Sequence, residues 1–286
     1  MGQEMSLNKE RLELNHPSRM VIQMDNFEGK KFPIIVVDNF YKDPDYVREL
    51  ALSLDYQENR GHAYPGVEAT IEFDSRKFWA FIYRYFARQF GFTAKSLKVN
   101  TVSELKFSMI GSSGSEGYPI QIPHVDPNLL QGLVFLNPPE QCKGGTSFFT
   151  NKEMGFGEVV GDVEVLSYTF GLLGHPDFAG WQSSLDGRVI NNLLKMGLHT
   201  EFFELSDKDK TIDYNSLRRA LSLENSLLTD FWEEKKAIEM KYNRLACFPG
   251  FFIHSVFCES GWFGDKKEEM RLTQNFGVPW PYCLEV

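Results

Sequence analysis

This chain of 286 residues has no CxxC pair, and its four cysteines (Cys142, Cys247, Cys258, Cys283) are too sparse for a disulfide framework. They read as reduced thiols of a cytoplasmic protein. No window approaches the roughly 18 apolar residues that a spanning helix needs, so no membrane association is expected. The opening M-G-Q-E-M-S-L-N-K-E-R is polar and lacks an apolar signal core. Basic residues are not in excess either. The net charge of −9 gives no basic face for a polyanion, and nucleic acid is not an expected partner. Internal repeats and low-complexity segments are missing as well.

What remains is an ordinary globular composition, 42% hydrophobic and 24% charged, with length enough for one large core. The 25 phenylalanines favour aromatic-rich sheet packing. F-P-I-I-V-V-D at 32–38 is a β-branched run that predicts a buried strand. Asn39 and K-D-P at 42–44 supply capping and turn chemistry for a helix, on which Val47, Leu50, Ala51 and Leu54 share a face. Asp74-Ser75 caps a second predicted helix, with Phe78, Trp79, Ile82, Tyr85 and Phe86 on one side.

From about 101 the texture becomes short strands: T-V-S-E-L-K-F-S-M-I, Y-P-I-Q-I-P-H-V-D, G-L-V-F-L-N and K-G-G-T-S-F-F-T. Strand texture returns at A-I-E-M-K-Y-N-R-L-A-C-F, F-F-I-H-S-V-F and M-R-L-T-Q-N-F-G-V. The spacing indicates an antiparallel sandwich or barrel. Between the two groups, residues 151–235 carry helical patterns, V-I-N-N-L-L-K-M and Y-N-S-L-R-R-A-L-S-L-E-N-S-L-L-T-D-F-W. The expectation is a single domain over 1–286, a β-core of α+β class split by a partly helical insertion at 151–235. That insertion serves as a lid or as an oligomer contact, so a homo-oligomer stays open.

His124 and His254 stand out among the six histidines because both lie at ends of apolar β-segments, I-Q-I-P-H and G-F-F-I-H. His16 reads as a surface residue, and His62, His175 and His199 fall in loop or insertion. In extended chain, residues i and i+2 face the same side, so His124 and Asp126 present a nitrogen and an oxygen to one point. His254 from a distant strand completes a two-His-one-carboxylate set with open positions, which suits non-haem Fe(II). A keto acid chelating that iron needs a cation for its far carboxylate, the bidentate task to which arginine is suited. Arg271 lies 17 residues after His254, in a strand expected to form a hairpin with the His254 strand. Thr273 shares the Arg271 face by the same rule of two.

These segments, in this order, resemble the iron(II)/2-oxoglutarate-dependent dioxygenases of the prolyl-4-hydroxylase-like branch. The matching pieces are I-I-V-V-D-N-F, G-Y-P-I-Q-I-P-H-V-D, V-F-L-N, G-G-T-S-F-F, N-R-L-A-C-F-P-G-F-F-I-H-S and R-L-T-Q-N-F. Y-P-G at 64–66, P-H-V-D, G-G-T and N-R-L…H-S are most similar to a bacterial and viral subgroup of that branch. The resemblance covers roughly 30–150 and 236–280 and leaves the insertion out. It implies a double-stranded β-helix (jelly roll) with supporting N-terminal helices. It also implies iron ligation by His124, Asp126 and His254, and 2-oxoglutarate anchored by Arg271 with help from Thr273. Phe135 stands where some prolyl hydroxylases carry a cosubstrate-binding tyrosine, and the preceding strand offers Phe107. Related halogenases give up the carboxylate of the HxD triplet, so Asp126 argues for hydroxylation.

The implied activity consumes O2 and 2-oxoglutarate, releases succinate and CO2, and hydroxylates a C–H of an amino acid, a peptidyl side chain or a small metabolite. Two other readings compete. One is a jelly-roll scaffold that binds metal without turnover; the other is a cupin-like metal enzyme that uses no 2-oxoglutarate. Arg271 discriminates against both, because neither needs a keto-acid anchor. Tyr64, Pro65, the G-S-S-G-S-E-G loop, Arg244 and Trp262 are candidates for the substrate mouth. Arg244 reads equally as the partner of an acid, and Trp262 as packing against the sheet.

Overall fold

The β-branched run at 34–38 forms the strand the sequence predicts, and its burial pattern shows why, since Ile34, Ile35 and Val37 are completely buried. In the computed structural model, residues 12–27, 32–58, 66–73, 103–112, 129–151, 232–250, 252–259 and 261–279 are described. Among them the strands in chain order are β1 (Val21–Asp25), β2 (Ile34–Asp38), β3 (Gln57–Glu58), β4 (Val67–Phe73), β5 (Ser103–Ile110) and β6 (Leu129–Phe135). They continue with β7 (Gly145–Asn151), β8 (Trp232–Glu239), β9 (Arg244–Pro249), β10 (His254–Phe257) and β11 (Arg271–Pro279). One α-helix, α1 (Pro44–Ser53), joins them. The second predicted helix, His62, Tyr64, Pro65, the G-S-S-G-S-E-G loop after Ser112, His124, Asp126, His175, His199 and nearly all of the insertion lie outside the described residues.

The protein is mainly β, with antiparallel pairings throughout. A large sheet runs β1-β2-β9-β6-β11-β5-β4-β3, and a small one runs β10-β7-β8. From β5 onward the pairings nest: β5 lies on β11, β6 on β9, and β7 on β8. Gly144 (φ +70°) and Gly145 let β7 lie close between its neighbours. A Cβ on Gly144 would stand 2.0 Å from the Phe257 carbonyl oxygen, and one on Gly145 1.9 Å from that of Ile238. Only glycine fits either place.

Three boundaries differ from the sequence expectation. A-I-E-M-K-Y-N-R-L-A-C-F is not one strand. Asn243 takes a left-handed conformation (φ 61°), which ends β8 and starts β9 in the other sheet. β7 and β8 pair out to Asn151 and Trp232, so Trp232 to Lys235 belong to the core and not to the insertion. The chain therefore leaves and re-enters the core at one point, where a long connection adds little closure cost. The third difference concerns His254, which begins β10; the apolar Phe252 and Ile253 precede the strand.

α1 is capped by the Asp43 side chain, which accepts from the Tyr46 amide at 3.1 Å. It buries Tyr46, Val47, Leu50 and Ala51 in one cluster with the outer face of the large sheet. On that face Phe107, Gln274, Val134 and Leu245 stand side by side by register. Each such fully buried large apolar side chain contributes on the order of 1.5–3 kcal/mol. Tyr41, buried beside them, donates its hydroxyl to Gln274 Oε1 at 2.6 Å. Among the described residues no helix is long and apolar enough to cross a membrane.

Arg244 proves to be a clasp and not a mouth residue. Its Nε and Nη2 donate to Asp38 at 2.6 and 3.1 Å, and Lys241 adds a bond of 2.7 Å. Burial alone would raise the Asp38 pKa, but the bonds and charge of Arg244 and Lys241 outweigh it and hold it below the usual carboxylate range. A lowered folded-state pKa stabilises above the ordinary carboxylate value and stops doing so as pH falls through the lowered one. Thermal unfolding from neutral pH to about pH 3 should show this loss of stability. Asp38→Asn should weaken the acid dependence and cost about 1–3 kcal/mol at neutral pH, because Arg244 loses its partner.

Candidate anion and metal site

Sheet register decides which side chains can meet between the two sheets. Arg271, Thr273 and Asn275 alternate onto one face of β11. Opposite them on that face stand Ile110, Ser108 and Lys106 of β5, and Phe135 and Leu133 of β6. Phe107 pairs with Gln274 and so belongs to the opposite, helix-covered face. It cannot take the place of a cosubstrate-binding tyrosine, whereas Phe135 keeps its place on the Arg271 side.

Among the described residues Arg271 is the largest of the fully buried side chains, 1% exposed. Its Nη2 donates to the Gly145 carbonyl at 3.2 Å, and the guanidinium lies 5.6 Å from the centre of the Phe135 ring. Nε has no partner. Among the described residues Arg271 is in none of the ion pairs, which involve Lys42, Lys106, Lys235, Lys236, Lys241, Arg244 and Lys266. Two hydroxyls share the condition: Thr273 Oγ1 and Thr146 Oγ1 are buried without partners.

Thr146 stands on β7 next to Gly145, whose carbonyl Arg271 reaches, and Thr273 follows Arg271 by two positions on the same face of β11. The guanidinium's field also reaches Cys258, where burial pushes the thiol pKa up and Arg271 pulls it partly back. A buried cation lacking a counter-charge costs several kcal/mol. Its own unpartnered Nε–H and the two unpartnered threonine hydroxyls are the complement of a carboxylate.

The expected β10–β11 hairpin does not form. β10 lies in the small sheet and β11 in the large one, so residues 258–270 cross between sheets. Arg271 consequently faces β10 and β7 across the core instead of lying beside His254 in one sheet.

His254 is 5% exposed and packs its ring edge-on to Phe248, centroids 4.8 Å apart, with Phe148 at 6.4 Å. Its Nδ1 lies 2.7 Å from the Phe252 carbonyl oxygen. A carbonyl only accepts, so Nδ1 donates to it, and Nε2 is the ring nitrogen placed to ligate a metal. Metal-binding histidines are oriented in this way. Arg271 bonds to Gly145, which pairs with Phe257; His254 pairs with Phe148, three positions further along. At about 3.3 Å per residue that is roughly 10 Å, the reach of a ligand with polar groups at both ends and not of one small ion.

The structure thus brings Arg271, Thr273 and the His254 strand around one interior. His124 and Asp126 lie outside the described residues. Thr146 escaped the sequence reading, although a hydroxyl two positions before Phe148 on an inward face was a signal. Trp262 sits partly buried with its ring 5.5 Å from that of Phe257, closing the core beneath the 258–270 connection.

A family model described as a family of unknown function, DUF6445, matches residues 18–165, more than half of the chain. The matched stretch includes His124, Asp126 and Thr146 and ends before His254 and Arg271. No curated protein matches the chain.

Proposed function

We propose that this chain, which belongs to the DUF6445 family, is an Fe(II)/2-oxoglutarate-dependent dioxygenase that hydroxylates an unactivated C–H and releases succinate and CO2. The observation that carries this reading is Arg271: a guanidinium at 1% exposure, unpartnered at Nε, beside two unpartnered threonine hydroxyls. A scaffold or a metal enzyme without a keto-acid cosubstrate would have no use for that charge.

The nested pairings support a jelly roll, which behaves as one long hairpin rolled into two sheets. With β5 on β11, β6 on β9 and β7 on β8, a jelly roll calls for one more strand beside β10, and the reading assigns that place to the sequence between β5 and β6. That segment contains His124 and Asp126, and β10 begins at His254. The reading therefore has His124, Asp126 and His254 hold the iron, with Arg271, Thr273 and Thr146 holding the far carboxylate of 2-oxoglutarate.

Bound iron and 2-oxoglutarate supply the activation of O2 and the oxidising power for C–H hydroxylation. The chain's own residues orient and enclose them. The Phe252 carbonyl fixes the His254 tautomer, Arg271 sets the direction of the dicarboxylate, and Phe135, Phe148 and Phe248 exclude water. The test is an anaerobic titration. A weak visible charge-transfer band should appear with Fe(II) and 2-oxoglutarate together and with neither alone. A featureless spectrum at saturating concentrations of both would remove the assignment.

A further inference from the structure

The inner face of the large sheet continues past the anion pocket as a polar row. Asn275 Nδ2 donates to Ser108 Oγ at 2.5 Å, Ser108 Oγ donates to Glu68 Oε1 at 3.4 Å, and Lys106 pairs with the same Oε1 at 2.6 Å. The direction of this chain is fixed. A serine hydroxyl has one hydrogen, and the Glu68 carboxylate can only accept it. Asn275 must therefore donate to Ser108 through its amide nitrogen, which leaves Asn275 Oδ1 as an acceptor, buried and without a partner.

Beside it stand a carboxylate, 14% exposed, and an ammonium, 42% exposed, with two protons to spare beyond the Glu68 bond. Across the same row, β6 and β9 supply Leu133 and Ala246, so this face of the sheet is polar on one side and apolar on the other. The row lies on the His254 side of Arg271, because β11 runs on from Asn275 to Gly277, which shares a register row with Gln131 and Phe248, and Phe248 packs on His254. Asn275 follows Arg271 by four positions, about 13 Å along β11. It pairs with Leu133 of β6, the strand that the chain enters directly after His124-Val125-Asp126-Pro127-Asn128.

We propose that this row recognises the backbone end of a free α-amino acid. Asn275 Oδ1 and Glu68 take the ammonium group, and Lys106 takes the carboxylate, leaving the side chain toward the apolar part of that face. The inference rests on the oxygenase reading for what happens to the bound amino acid, but recognition of the zwitterion can be measured on its own.

The experiment is calorimetry with free amino acids, their N-acetyl derivatives and their carboxamides, run on the chain loaded with Zn(II) and 2-oxoglutarate. At least one free amino acid should bind, and both of its blocked forms should bind at least about tenfold more weakly. Lys106→Met should cut affinity for the free acid but not for its carboxamide. Asn275→Leu should cut affinity for the free amine but not for its N-acetyl form. Those two ligand-matched losses separate recognition from misfolding, since a misfolded variant loses every ligand alike.

Equal binding of free and blocked forms, or losses indifferent to the blocked group, would overturn the proposal. So would failure of every free amino acid to bind. A normal charge-transfer band alongside such a failure leaves the oxygenase reading standing and removes only the zwitterion. Zwitterion binding to a chain without that band does the reverse.

Discussion

Arg271→Met should leave the ligand-free protein as stable as the wild type or more so, while lowering its affinity for 2-oxoglutarate by roughly 10²–10³-fold. The first half follows from the missing counter-charge. Taking a guanidinium to 1% exposure costs several kcal/mol, and the described partners return little of it. The bond to the Gly145 carbonyl and the face of Phe135 together offset on the order of 2 kcal/mol. Methionine fills similar volume without needing water, so a gain of about 1–3 kcal/mol is expected. The second half follows because a carboxylate bound there loses its charged partner but keeps Thr146 and Thr273.

Thermal melts with and without 2-oxoglutarate read both effects. Wild type should melt higher with the ligand, and the methionine variant should melt at one temperature regardless. Arg271→Lys keeps the charge but not the planar fork, and should fall between them. A methionine variant that unfolds several degrees early, yet still responds fully to the ligand, would show Arg271 to be a structural residue.

Such a buried unpaired charge is what the sequence could announce only in part. Arg271 and Thr273 were legible because alternation in M-R-L-T-Q-N-F puts them on one face whatever the tertiary structure. The sheet they belong to was not legible. A link at 258–270 serves equally for a long hairpin or a crossing between sheets, and nothing local distinguishes the two. β8 and β9 were fused for a similar reason. Their texture runs on without a break, and the only punctuation is Asn243, an asparagine that happens to adopt the left-handed conformation.

β1 is also easy to miss, since all five residues of V-I-Q-M-D are exposed on an edge and leave no burial pattern. β4, V-E-A-T-I-E-F, alternates clearly enough to have been read. Its neighbours of loop type, N-R-G-H-A-Y-P-G, hid it. Phe107 shows a subtler limit. Its place in the chain suggested the site, but a shift of one residue in an extended strand changes the face, and only register could assign it. Thr146 and the Glu68–Lys106–Ser108–Asn275 row depend on register in the same way, because their chemistry arises from neighbours across strands.

His254→Leu should abolish tight binding of a divalent transition metal, with affinity falling more than about 100-fold, while the fold survives. Leucine is the informative replacement. His254 fills space between Phe148 and Phe248, and alanine would leave a cavity costing about 2–4 kcal/mol, mixing a packing defect with the loss of a ligand. Leucine keeps that contact. Its remaining penalty is the Phe252 carbonyl, which loses its donor at a cost of about 1–3 kcal/mol. A melting temperature a few degrees below wild type is therefore expected, together with loss of the visible bands that Co(II) should give in the wild-type protein. If a core histidine merely satisfied Phe252, His254→Leu would show the same small thermal shift and undiminished Co(II) bands. The stability arm comes out alike under both accounts, so the metal arm alone decides between a packing residue and a ligand.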